Sequence, residues 1–169
     1  MSLDESDLDL GLTHGWRSDN VGRLLLAGFG FFEGRLMSRL EQSGFSMVRH
    51  VHFNVLRHLD SHGTRIVDLA ARAGITKGSM GKVVKECEHL GLVRLCVDPG
   101  DGRAKVVSFD KKGIELMRAI RGAMVQVQAE MARITGEEDM QAMQRALRAL
   151  HGHAASSENV RPPKVRVRR

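Results

Sequence analysis

LAARAGITKGSMGKVVKECEHLGLVRLCVDPGDGRAKVVSFDKKG, residues 69–113, decides the reading of this chain. Two short helices are expected at its start. Thr64 is placed to cap the segment IVDLAARAG, Gly74 to end it, and Thr76 to cap the next helix after a tight turn. In that second helix Met80, Val84, Cys87 and Leu90 or Gly91 fall along one side, while Gly78, Lys82, Lys85 and His89 fall along the other. One face is therefore predicted buried and the opposite face cationic. LVRLCV and AKVVSF then flank the turn-forming string DPGDGR, a β-hairpin pattern whose polar loop carries Arg103.

Two short helices and a hairpin in this order describe a winged helix-turn-helix, in which the second helix enters the major groove of double-stranded DNA. Such a helix must be held by an apolar inner face and must offer donors on its outer, N-terminal face. Thr76, Lys77, Gly78, Ser79, Lys82 and Lys85 are the candidates there, and the helix N-terminus adds free N–H groups and a partial positive charge. In the wing, Arg103 is the candidate for a narrow minor groove, with Lys105 as a further DNA-facing cation. Asp98 and Asp101 repel phosphate, so they are read as wing supports that accept hydrogen bonds within the turn and orient Arg103.

On these residues the chain resembles the MarR family of transcriptional regulators over roughly residues 21–151, with the Asp-x-Arg wing string at Asp101–Arg103 and VHFNVLRHL, residues 51–59, preceding the helix-turn-helix. Departures are Cys87 where the family usually has leucine, Asp110 in place of a threonine cap, and Gly78 and Gly81, which weaken the recognition helix by roughly 1 kcal/mol each. The resemblance implies a homodimer whose first and last helices intertwine, giving two recognition helices that read a pseudo-palindrome. It also implies a place for a small ligand between the dimer arms and the winged domain.

Outward from the core stretch, Val21, Leu24, Leu25, Phe29, Phe32, Leu36 and Leu40 predict a first helix that Gln42, Ser43 and Gly44 end. Val48, Val51, Val55, Leu56 and Leu59 predict a second helix closing at His62 and Gly63. Asp110 is placed to cap a long helix with the stripe Ile114, Met117, Ile120, Met124, Val127, Met131 and Ile134, and Met140, Met143, Leu147 and Leu150 mark a final short one. The expected fold is mainly α with a small β-hairpin wing. It comprises an acidic extension (1–20), a MarR-like domain (21–152) and a disordered basic tail (153–169). Within the domain the winged helix spans about 46–110 and dimerisation helices about 21–42 and 111–151. The outer helices carry more apolar surface than one winged domain needs, which independently calls for a second copy.

The 169 residues, 42% hydrophobic and 27% charged, suit one folded domain and argue against a disordered or fibrous chain. The net charge is +6; the acidic start contributes −4 and the tail +4, so the part between them is itself basic and fits a polyanionic partner. No apolar run approaches the roughly 20 residues of a membrane span, and MSLDESDLDL lacks a secretory pattern, so a cytoplasmic protein without membrane contact is expected. No phosphate-binding glycine loop, activated nucleophile or paired-carboxylate pattern stands out, so no enzyme activity and no cofactor are expected.

Several residues admit two readings. His58 and His62, among a cluster with His50 and His52, have a spacing that suits a metal ion, but are better read as ordinary histidines, and no metal is assigned. Cys87 and Cys96 are read as reduced thiols, against a redox switch. Trp16, Phe29, Phe31 and Phe32 either pack in the core or line a pocket for an aromatic effector. RPPKVRVRR, residues 161–169, either touches flanking phosphates or only aids solubility. The function so expected is a sequence-specific DNA-binding transcriptional regulator, a ligand-relieved repressor acting as a homodimer. The alternative is a winged-helix protein-interaction module with only non-specific DNA affinity.

Overall fold

A computed structural model describes residues 19–98 and 100–156, with the side chains of residues 103 and 154–156 excepted. The acidic N-terminal residues through 18, Trp16 among them, and the basic tail from 157 lie outside the described residues. The chain divides into two compact units, Met1–Val127 and Gln128–Arg169. Among the described residues no helix is long and apolar enough to cross a membrane.

Helix α1 (Val21–Gln42) starts at Asn20, whose side chain accepts the Arg23 N–H at 3.0 Å, and ends at Ser43. Its second half carries the buried Leu36 and Leu40, but Val21, Leu24, Leu25, Leu26 and Phe29 are exposed. The expected second helix is much shorter than the pattern suggested. Its stripe is buried at Val48, Val55, Leu56 and Leu59, yet the backbone makes only a 3-10 turn, His50–His52, and the one-turn helix α2 (Phe53–Leu56). Arg72 explains part of the early end, since its guanidinium donates to the His58 carbonyl at 2.8 Å and holds the chain as an irregular connection there.

Thr64 does not cap α3 (Ile66–Arg72) as expected. It lies with Arg65 in a two-residue strand, β1, pairs with Val107 of β3, and is buried; Arg65 occupies the cap position without capping the helix through its side chain. The Thr64 hydroxyl is used locally instead, accepting the Asp60 N–H and donating to the Asp60 carboxylate. Gly74, at φ +66°, makes the left-handed turn that ends α3, and the Ile75 N–H returns to the Ala70 carbonyl. After α4 (Lys77–His89) come β2 (Val93–Asp98) and β3 (Asp101–Phe109), so the wing is a three-stranded antiparallel sheet in the order β1-β3-β2.

Helix α5 (Lys111–Thr135) begins after Asp110, whose Oδ1 accepts the Lys111 N–H at 2.8 Å. Its first turn is locked to the wing base. The Asp110 N–H donates to the Leu92 carbonyl at 3.1 Å, and a Cβ on Gly113 would stand 1.9 Å from that same oxygen. The buried positions are Gly113, Leu116, Ile120, Ala123 and Val127, whereas Ile114, Met124 and Ile134 of the expected stripe are exposed in the single chain. The core of the first unit joins Leu36 and Leu40 to Leu69, Met80, Val84, Leu92, Val107 and Leu116. In the second unit Gly136 (φ +90°) turns the chain into α6 (Glu137–Ser156), a 20-residue helix rather than a short one, extending four residues past 152. Met140 is buried; Leu147 and Leu150 are exposed.

Candidate nucleic-acid interface

Thr76 caps α4 as its sequence demands: Oγ1 accepts the Ser79 N–H at 3.1 Å and donates to the Ser79 hydroxyl at 2.9 Å. The apolar positions Met80, Val83, Val84 and Cys87 are buried and fasten the helix to the core. Lys77, Gly78, Ser79, Lys82, Lys85 and His89 are all exposed. The helix therefore presents three lysines and a hydroxyl to solvent, together with the positive end of its backbone dipole. Burial pushes the Cys87 thiol up to about 12, with the neighbouring Glu86 charge acting the same way, so at neutral pH it is a packed thiol and not a thiolate. Both Cys87 and Cys96 are free.

In the hairpin, Asp98 faces Asp101 across the turn, with a register shift between Val97 and Asp98. Lys105, opposite Val97, is exposed. The Arg103 backbone belongs to β3, but its side chain, with the alignment by the two aspartates expected of it, lies outside the described residues. Asp98 does support the turn, since its Oδ1 accepts the Gly100 N–H at 2.9 Å. Among the described side chains, the cation it holds is Arg65. The Arg65 Nε and Nη2 donate to Asp98 Oδ2 at 2.7 and 2.6 Å, and Nη2 lies 3.5 Å from Asp101 Oδ2. The Gly100 N–H first and the Arg65 guanidinium second hold the Asp98 carboxyl below the usual carboxylate range. Sequence reasoning missed Arg65 because its partner is 33 residues away; the only local signal is a base immediately before α3.

A cleft of about 350 Å³ opens beside this domain, walled by Phe29, Phe32 and Leu36 of α1, Phe53 and Leu56 of α2, and Met117 and Met124 of α5. Two charged groups border it, Glu33 and Arg57. Of the aromatic residues expected at a pocket, Phe29 and Phe32 line it, whereas Phe31 lies beneath the Arg35 guanidinium at 5.4 Å. The histidines are dispersed over different partners. His50 Nδ1 is 2.7 Å from Glu33 Oε1, His52 is fully buried, and burial together with Arg57 and Arg72 lowers the pKa of His58. Among the described residues no three histidine, cysteine or acidic side chains are grouped to hold a metal ion.

Residues 38–104 match the model of the MarR family. A search of curated proteins finds no match. Among solved structures, CouR from Rhodococcus jostii RHA1 bound to p-coumaroyl-CoA is 23% identical with a TM-score of 0.60, over 79% of this chain and 92% of that one. CouR on a 23-mer DNA duplex gives 20% identity and a TM-score of 0.64, over 83% and 98%. A MarR-family regulator from Rhodococcus sp. RHA1 gives 22% and 0.60, over 79% and 93%. At these identities the likeness establishes the fold.

Proposed function

Since residues 38–104 are a MarR-family segment within a chain of that fold, we propose that the protein is a DNA-binding transcriptional regulator that acts as a homodimer on a pseudo-palindromic operator. The observation that carries this reading is α4: a helix fastened by four buried side chains, with Lys77, Ser79, Lys82 and Lys85 left in solvent beside an exposed wing. A surface meant for an apolar or basic protein partner would not be built from lysines at a capped helix start. Thr76, Lys77, Gly78, Ser79, Lys82 and Lys85 are assigned to phosphates and base edges, Arg103 and Lys105 to the wing contact, and Asp98 with Asp101 to wing support.

The likeness to CouR, solved once on a DNA duplex and once with p-coumaroyl-CoA, supports both halves of a ligand-relieved repressor. The apolar cleft is the place assigned to the effector, an aromatic molecule being suited to Phe29, Phe32 and Phe53. Binding there favours a spacing of the two recognition helices that no longer fits one operator. The experiment is selection of bound genomic fragments followed by footprinting. One symmetric protected site is expected, with Arg103→Ala weakening binding by about 1–3 kcal/mol and Lys82→Ala changing affinity or base preference. Equal affinity for all duplex sequences overturns the reading in favour of a protein-interaction module.

A further inference from the structure

The His50–His52 turn and α2, which continues it, face two ways. Toward the cleft they present Phe53 and Leu56, and His50 Nδ1 meets the carboxylate of Glu33, another cleft residue, at 2.7 Å. Toward α4 they present Arg49 and His52. The Arg49 guanidinium bonds Glu86 of α4, and His52 Nε2 lies 3.3 Å from the same Glu86 oxygen. His52 is oriented by its other nitrogen, since Nδ1 accepts the Arg49 backbone N–H at 3.0 Å and so leaves the Nε2 edge for the carboxylate.

Two features make this more than packing. Arg49 and Glu86 are both exposed enough for solvent to screen them, so the pair contributes little to stability and its effect is on position. His52, by contrast, is fully buried, and its Nε2 makes no well-aligned hydrogen bond despite its closeness to Glu86. Leaving a buried donor unsatisfied is costly, and a small rotation of the turn would align it. The link as it stands is short of ideal geometry, so a small movement of the turn changes how well His52 holds Glu86.

We propose that the His50–His52 turn transmits occupancy of the cleft to the recognition helix, with Arg49 and His52 gripping Glu86 as the link. This rests on the reading that the cleft takes a small molecule. A molecule seated between Phe29 and Phe53 packs against α2 and beside Glu33, and a shift of α2 or a change in the Glu33–His50 contact moves the backbone that carries Arg49 and His52.

The test uses the full-length protein and anilinonaphthalene sulfonate, an apolar anionic fluorophore, with hydrogen exchange read at the amides of Lys77–His89. In the wild type the fluorophore is expected to change α4 exchange by about fivefold or more. Glu86→Gln, on a partly exposed side chain outside the cleft, should bind the fluorophore as the wild type does but lose that response. His52→Asn keeps an acceptor for the Arg49 N–H, cannot reach Glu86, and should behave the same way. Met124→Trp, which fills the cleft, should abolish binding. If the fluorophore binds in the cleft but α4 exchange is unchanged, or changes equally in Glu86→Gln, the transmission is overturned while the cleft reading survives. If Met124→Trp binds it as well as the wild type, both fall.

Discussion

Gly113 has no room for a side chain because α5 begins against the Leu92 carbonyl, and a methyl group there would sit 1.9 Å from that oxygen. Backbone on both sides cannot yield as a flexible side chain would. Gly113→Ala should cost about 1–3 kcal/mol or more, read as a lower urea midpoint at unchanged m-value. Asp98 is a second residue whose environment makes a prediction. Its folded-state pKa is depressed, so its contribution is complete above the ordinary carboxylate value of about 3.9 and disappears as pH falls through the lower folded value. Asp98→Asn should therefore be less stable than the wild type at neutral pH, with a difference that narrows toward pH 3; a gap independent of pH contradicts the Arg65–Asp98 assignment. The wing supports were legible in sequence as acids in a turn, but Arg65 as one of their cations was not. Proximity along the chain pointed to Arg103, whose side chain lies outside the described residues, and folding adds Arg65 from a strand that only the sheet creates.

At the scale of elements, what could be read was what has a local cause. The Thr76 cap, the Gly74 turn and the buried stripe of α4 each depend on residues within one or two helical turns, and all appear in the structure. The second helix was overread because its apolar spacing is real while its backbone is governed by distant groups, notably Arg72 on the His58 carbonyl. The α4 glycines remain a cost the fold does not require. A Cβ on Gly81 would meet nothing within 4 Å, and its backbone is ordinary helix. Gly81→Ala should stabilise the protein by about 1 kcal/mol, seen as a raised melting temperature. Unchanged or reduced stability would show that this helix gains something from the glycine that the single chain does not reveal.

For the whole molecule, the first half of α1 and the end of α6 expose Val21, Leu24, Leu25, Phe29, Leu147 and Leu150. The sequence showed that these positions are apolar but not what covers them, because the periodicity of one chain is silent about a second. The proposed homodimer predicts that Leu24→Glu, on a residue 54% exposed, leaves helix content intact but raises the dimer dissociation constant about tenfold or more in sedimentation equilibrium. A wild type that sediments as a monomer at all concentrations contradicts it.

The Leu92 carbonyl, shared by the Asp110 N–H and the bare Gly113 backbone, has a mechanical consequence. It leaves little slack at the joint, so the base of the β2–β3 ribbon and the foot of the long helix should swing together. A tilt imposed on that foot is then handed to the root of the hairpin, and a root held in place steadies the helix in return.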